Sequence, residues 1–276
     1  MKVLITGANG QLGRALVKRL QGCQILALGS ADMDITDCKK TFQTIVSYRP
    51  EAVIHAAAYT SVDAAETDVH LAYAVNAIGT QNVAAACLEC RAKLVYVSTD
   101  YVFDGLLGRA YHEFDQTNPQ SVYGKSKLAG ERLARHIVNR LFIVRTSWLY
   151  GDGNNFVKTM LRLGQEKEEL RVVNDQYGCP TNVADLAGVI VQLIEGKRYG
   201  VYHAANFGVT TWFDFARKIF ALTGNQQIRL LPQSTSELGR PAPRPAYSPL
   251  HNFMLELTYG QQMRPWEEAL NEYLAI

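Results

Sequence analysis

The run Lys2-Val3-Leu4-Ile5-Thr6, followed at once by Gly7-Ala8-Asn9-Gly10-Gln11-Leu12-Gly13, constrains the fold more than any other part of this chain. A short apolar run stopped by glycine reads as a buried parallel strand. Leu12, Leu16 and Leu20 recur at helical spacing, which predicts a helix opening inside the glycine segment. The glycines stand at G-x-x-G-x-x-G positions. Each admits what a side chain blocks: a tight turn, close backbone approach to a pyrophosphate, and tight helix packing. The helix N-terminus offers free N–H groups and the positive dipole end to phosphates. Strand, turn and helix together predict a dinucleotide site on Gly7, Gly10, Gln11, Leu12 and Gly13.

The alternation continues. Strands are expected over 24–28, 52–58, 94–99 and 141–145, with helices over 39–48 and through the alanine-rich 63–90. Strands with continuous apolar cores, separated by helices, predict an α/β fold: a doubly wound parallel sheet of Rossmann type. Ligands bind such sheets at the carboxyl ends of the strands, where Gly7, Ala58 and Thr99 fall. Residues 1–150 read as the dinucleotide-binding core, with 183–203 returning to it. Residues 151–182 and 204–276 read as a smaller C-terminal substrate lobe. Helices are expected over 183–194, 211–223 and 266–274, and Trp212, Phe215, Ile219 and Phe220 read as a core stripe.

Bulk properties narrow the class. A net charge of +2 with no long basic run gives no electrostatic case for a nucleic-acid partner. No apolar stretch approaches the ~20 residues that span a bilayer, so no membrane association is expected. The chain opens on a strand rather than a signal peptide, and its five cysteines are an odd count. Both suit a reducing cytoplasm. Cys87-x-x-Cys90 has no second pair and reads as helix thiols. No histidine has ligand spacing, so no metal site is expected.

Tyr123 and Lys127 stand one helical turn apart and share a helix face. A cation beside a phenol favours phenolate and is expected to lower the Tyr pKa from about 10. That makes a proton donor working near neutrality. With the glycine spacing, with Asn76 in the helix after the alanine-rich strand, and with Ser98-Thr99 ending the strand before the Tyr helix, the chain resembles the extended short-chain dehydrogenase/reductase superfamily. The match covers that superfamily's Asn, Ser/Thr, Tyr and Lys tetrad.

Further stretches resemble one branch closely: Ser98-Thr99-Asp100-Tyr101-Val102-Phe103-Asp104-Gly105, Arg145-Thr146-Ser147-Trp148-Leu149-Tyr150-Gly151, Asn174-Asp175-Gln176-Tyr177-Gly178-Cys179-Pro180-Thr181 and Ala56-Ala57-Ala58-Tyr59-Thr60-Ser61-Val62-Asp63. The branch is the dTDP-4-dehydrorhamnose reductase family. The resemblance implies NAD(P)H-dependent reduction of a 4-keto sugar nucleotide, completing dTDP-L-rhamnose for cell-surface polysaccharide. It implies that Tyr123 supplies the proton, that Lys127 depresses the Tyr pKa and binds the nicotinamide ribose, and that Thr99 stabilises the developing negative charge. The cofactor is expected against Asp34, Ile35, Ala58, Tyr59, Thr60 and Asn76 as well. The nucleotide-diphosphate sugar is expected against Thr99, Asp100, Tyr101, Val62, Trp148, Asn154 and Asn155. Arg244, in a proline-stiffened loop, is a candidate for the substrate diphosphate, with a solvated loop arginine as the alternative.

The end of the second strand reads Leu28-Gly29-Ser30-Ala31, with no carboxylate to repel a 2′-phosphate. NADPH is therefore expected, with NADH as the alternative. Two rival functions share the fold. One is a sugar-nucleotide epimerase or dehydratase of the same superfamily, of which the dehydratases carry an acid after Asp100, where this chain has Tyr101. A cofactor-binding regulatory subunit, like the β subunit of methionine adenosyltransferase, would keep the fold without turnover. A homodimer stays open, because no contact stripe identifies an interface.

Overall fold

Val3 and Ile5 face one side of the first strand and Leu4 the other, and all three are fully buried. A strand apolar on both faces needs a helical layer on each side, and the chain supplies both. The computed structural model describes residues 1–225, 227–260 and 263–275. Gln226, Gln261, Gln262 and Ile276, inside the expected 204–276 lobe range, lie outside the described residues.

The strands β1 (Lys2–Thr6), β2 (Gln24–Leu28), β3 (Ala52–His55), β4 (Lys93–Thr99) and β5 (Leu141–Thr146) form one parallel sheet, with the later strand Gly200–His203 beside β5. The order across the sheet is β2, β1, β3, β4, β5 and Gly200–His203. The helix α1 (Gln11–Arg19) and the helix Val183–Glu195 cover one face, where Leu12, Leu16, Leu186 and Ile190 meet Val3, Ile5 and Ile54. The helices α2 (Cys38–Tyr48), α4 (Thr80–Cys90) and α5 (Val122–Ile137) cover the other, against Leu4, Val53 and Leu94. A short helix, α3 (Val69–Tyr73), precedes α4. Cys87 is buried in α4, and Cys90 Sγ lies 3.1 Å from the Ala86 carbonyl, so both are helix thiols in the fold.

One detail of the helical runs over 63–90 bears on function. Between α3 and α4 the chain takes a π-helical turn, Ala74–Gly79, carrying Asn76. Such turns are rare and cluster at functional sites.

A second body of packing lies beyond the sheet. The helices Phe156–Glu166, Trp212–Leu222 and Trp266–Leu274 enclose Val157, Met160, Phe215, Ile219 and Leu270. The parallel pair Glu169–Val173 and Arg229–Gln233 adds Leu170 and Val172 to the same core.

Candidate active site

The strand order reverses at β1, with β2 on one side and β3 on the other. A crevice of about 800 Å³ opens beyond the carboxyl ends of the strands there. At its floor Gly7 turns the chain with φ +69°, and a Cβ on it would lie 2.6 Å from the Ala57 nitrogen. A Cβ at Gly13 would lie 2.3 Å from the Gly7 carbonyl oxygen. These are the close approaches the glycine spacing predicted. Gly10 is the N-cap of α1, so the first N–H groups of the helix open towards the crevice. Gln11 Oε1, buried beside them, has no partner in the protein. A glycine cradle, an open helix N-terminus and an unpaired polar atom fit a dinucleotide pyrophosphate.

Gly7, Gly10, Gln11, Leu12, Gly13, Asp34, Ile35, Ala58 and Thr60 all line the crevice. Gly29 and Ser30 line it where a ribose pocket is expected, and the nearest acid, Asp32, accepts from the Gly29 N–H at 2.8 Å. Tyr59 and Asn76 are not on the lining. Asn76 is buried and works from behind: its amide accepts from Tyr59 N–H at 2.8 Å and donates to Tyr59 O at 3.1 Å and to Ser126 Oγ at 3.0 Å. It ties the segment Ala58–Thr60 to α5.

That tie continues inward. The Thr80 hydroxyl donates to Asn76 O at 2.8 Å, so it accepts from His55 Nε2 at 3.1 Å. His55 Nδ1 is then left to accept from Thr6 Oγ1 at 2.7 Å. The chain of bonds fixes the Nε2–H tautomer of His55 and joins β1 to the π-helical turn. Burial pulls His55 down to about 3.

Tyr123, Lys127, Thr99, Asp100, Tyr101, Val62, Trp148 and Asn154 all reach the same crevice. Ser121 caps α5 by accepting from Gly124 N–H at 3.1 Å and fixes where Tyr123 enters. Tyr123 lies edge-on to Tyr101, with ring centroids 5.5 Å apart. Lys127 is buried, donates Nζ to the Val97 carbonyl at 2.7 Å and lies 4.1 Å from the centre of the Tyr96 ring. The expected lowering of the Tyr123 pKa is not what the protein's own groups produce. Burial pushes the phenol up to about 12, and the Thr99 hydroxyl beside it pulls the other way. Burial also pulls Lys127 down to about 7, against the attraction of Glu131. Desolvation is the largest cause for both groups, and neither shift draws on the Tyr123–Lys127 pairing that the sequence spacing suggested.

Asp100 is buried beside them. It accepts from Ser248 Oγ at 2.6 Å and Thr99 Oγ1 at 3.1 Å, and burial pushes it up to about 6. Ser248 carries no distinguishing signal in the sequence, because its partner Asp100 lies 148 residues earlier.

Trp148 departs from ordinary backbone, with φ +47°, and stacks on Trp212 with ring centroids 3.5 Å apart at 9°. Trp212 packs against the core with Phe215, Ile219 and Phe220, as the stripe predicted, and also lines the crevice. Its place at the first turn of that helix, stacked on Trp148 at the crevice, has no sequence signature. Arg14 is another missed lining residue. It donates Nη1 to Asn9 O at 2.6 Å and Nη2 to Asp152 O.

Two expected substrate contacts have other partners. Asn155 caps the helix Phe156–Glu166 by accepting from Lys158 N–H at 3.0 Å and is off the crevice lining. Arg244 is neither solvated nor on the lining. It donates Nη1 to Asp63 Oδ1 and Nη2 to Asp63 Oδ2, both at 2.9 Å. This bidentate pair fastens the proline loop to the segment after Val62.

Comparison with known proteins places the chain. The family model described as "RmlD substrate binding domain" matches residues 1–276. A dTDP-4-dehydrorhamnose reductase from Mycobacterium tuberculosis is 44% identical, covering 99% of this chain and 92% of its own. A crystal structure of a dTDP-4-dehydrorhamnose reductase from Clostridium acetobutylicum superposes with a TM-score of 0.98 at 49% identity, covering 100% of this chain and 99% of its own. That of the Bacillus anthracis dTDP-4-dehydrorhamnose reductase, in complex with NADP, gives 0.97 at 49% identity with the same coverage.

Proposed function

This chain belongs to the dTDP-4-dehydrorhamnose reductase family, and on that premise we infer that it reduces the 4-keto group of dTDP-4-dehydro-L-rhamnose with NADPH, forming dTDP-L-rhamnose. The observation that carries the reading is the convergence of the Tyr123 and Thr99 hydroxyls and the Lys127 ammonium on one crevice above the glycine turn.

NADPH, when bound, supplies hydride to the sugar carbon. The chain does the rest. Gly7, Gly10 and Gly13 leave room for the pyrophosphate at the α1 N-terminus, with Gln11, Leu12, Asp34, Ile35, Ala58 and Thr60 along the crevice. Tyr123 gives its phenolic proton to the carbonyl oxygen as that oxygen gains charge. Thr99 shares the Tyr123 hydroxyl, and its own proton, donated to Asp100 in this structure, would turn to the developing oxyanion. A phenol pushed up to about 12 holds its proton until the oxygen needs it, and the Lys127 ammonium, one turn on along the same helix and on the same crevice, would stabilise the phenolate left behind. Trp148 offers a flat face to the sugar, and Asp100, Tyr101, Val62 and Asn154 enclose its hydroxyls. Holding sugar and cofactor at reacting distance contributes much of the rate. Asn76, Tyr59, Asn155 and Arg244 serve by fastening the segments that carry these groups.

Residues 1–150 with 183–203 act as the cofactor core, and 151–182 with 204–276 as the substrate lobe. The helix Val183–Glu195 packing on α1 and the strand Gly200–His203 joining the sheet support that division. No helix among the described residues is long and apolar enough to cross a membrane. Free cysteines at 23, 38, 87, 90 and 179 favour work in a reducing cytoplasm.

The test is isotopic. NADPH carrying deuterium at its transferable position should deliver one deuterium to C4 of the sugar for each NADPH consumed. An epimerised or dehydrated sugar without net deuterium would replace this reading with another reaction of the same fold.

A further inference from the structure

Tyr123, Lys127 and Glu131 stand at i, i+4 and i+8 on α5, one stripe turned towards the sheet. Lys127 is 2% exposed and Glu131 1%. The Glu131 carboxylate is clasped from two strands. Ser98 on β4 donates its hydroxyl to Oε1 at 2.6 Å. Arg145 on β5 donates Nε to Oε1 at 2.9 Å and Nη2 to Oε2 at 2.7 Å. Lys127 Nζ ends on the carbonyl of Val97, the residue before Ser98. Ammonium and carboxylate thus leave one helix face a turn apart and finish on consecutive residues of one strand. Side chains at this helical spacing have Cβ atoms about 5–6 Å apart.

We propose that Glu131 is a positioning residue of the reaction, its carboxylate locked by Ser98 and Arg145 so that it holds the buried Lys127 ammonium in its charged form beside Tyr123. The proposal rests on the reductase reading, in which Lys127 acts as a cation. A lone ammonium buried this deeply sheds its proton readily. Of the groups around it, Glu131 is the anion whose charge acts on Lys127. His55 faces it from β3 and is neutral, pulled down by burial and by Lys127 itself. Tyr96 on β4 lies under it, with its phenol pushed well up by burial. Tyr123 on α5 keeps its proton. Asp100, past the end of β4, is charged above about pH 6, but its oxygens accept from Ser248 and Thr99 and its charge acts on Tyr123. Asn76, from the π-helical turn, is uncharged and engaged with Ser126. Arg145 on β5 lies behind Glu131. Burial pushes the Glu131 carboxyl up, but the Arg145 charge and the hydrogen bonds of Arg145 and Ser98 outweigh it and hold the group below its ordinary value. Glu131 is the charge that opposes the loss of the Lys127 proton.

The experiment compares wild-type protein with Glu131→Gln, Glu131→Asp and Glu131→Gln/Arg145→Met. For each, kcat for NADPH oxidation with dTDP-4-dehydro-L-rhamnose is followed from about pH 6 to about pH 9. Removing the charge should move the alkaline fall in kcat down by about one pH unit or more, a loss that approaches about tenfold above the wild-type midpoint. The rate at low pH should stay within about threefold of wild type. Glu131→Asp should restore the wild-type midpoint. A uniform loss at every pH with an unmoved midpoint would reduce Glu131 to packing and overturn the proposal. Where circular dichroism shows that Glu131→Gln does not fold, the double variant, which leaves no unpaired arginine, carries the same expectation. Should the wild-type protein reduce no sugar nucleotide, the reductase reading falls by itself. The pH dependence of NADPH affinity in the same variants then decides the proposal: a midpoint moved down supports it and an unmoved one overturns it.

Discussion

Replacing Gly178 by alanine should displace Trp148 and expose what that indole does. A Cβ on Gly178 would lie 2.4 Å from Cε2, 2.6 Å from Cζ2 and 2.7 Å from Nε1 of Trp148. Ordinary contact begins at 3.4 Å, so the ring must retreat by 3.4 − 2.4 = 1.0 Å. Retreat is hindered, because the ring is stacked on Trp212 at 3.5 Å and its backbone already sits at φ +47°. Leaving the rotamer well costs about 0.5–1.5 kcal/mol. A misplacement of about 1 Å at a reacting centre costs up to about 10²-fold in rate. That is about 2.7 kcal/mol of transition-state stabilisation. We expect kcat/KM for the sugar nucleotide to fall by about 10²-fold while the NADPH Kd stays within about twofold, since the Gly7 turn is untouched. Steady-state kinetics and NADPH fluorescence titration read the two quantities. The chain has three tryptophans, so the change in their emission reports the broken stack directly. An emission change with an unaltered kcat/KM would refute the placing of the sugar on Trp148.

Other outcomes follow from the buried bonds. Asn76→Ala removes both bonds to the Tyr59 backbone and the one to Ser126, and should weaken NADPH binding by about tenfold in a fluorescence titration, at about 1 kcal/mol for such a bond. His55 is held neutral, its pKa lowered by burial from 6.5 to about 3, so its contribution to stability is present above pH 6.5 and is lost as pH falls through that window. His55→Gln should flatten the decline of Tm between those pH values, and an unchanged slope would mean another group controls it. Arg244→Met breaks the bidentate pair with Asp63 and should raise KM for the sugar nucleotide several-fold with little change in NADPH affinity.

The sheet was legible because its central strands β1, β3, β4 and β5 are buried on both faces and so read as unbroken apolar runs. The turn Gly7–Gly13 was legible because steric exclusion leaves only glycine at those contacts, which the 2.3 Å and 2.6 Å approaches bear out. What stayed hidden depends on residues far apart in sequence or on backbone states without a composition. The π-helical turn at Asn76 looks like any alanine-rich helix on paper. Asp63 holds Arg244 across a long sequence separation, so the arginine read as a phosphate clamp or a solvated side chain. Trp212 keeps helical spacing with Phe215 and Ile219 yet turns into the crevice, because its helix begins there. The Tyr123–Lys127 spacing indicated the two groups but not their titration, since desolvation depends on everything packed round them.

The turnover of Tyr123→Phe with saturating NADPH and dTDP-4-dehydro-L-rhamnose reads the proton donor itself. Losing only the phenolic oxygen should cut kcat by about 10²-fold or more while NADPH still binds as it does to wild type. A variant keeping more than about a tenth of the wild-type kcat would take the proton from some other group and contradict the account.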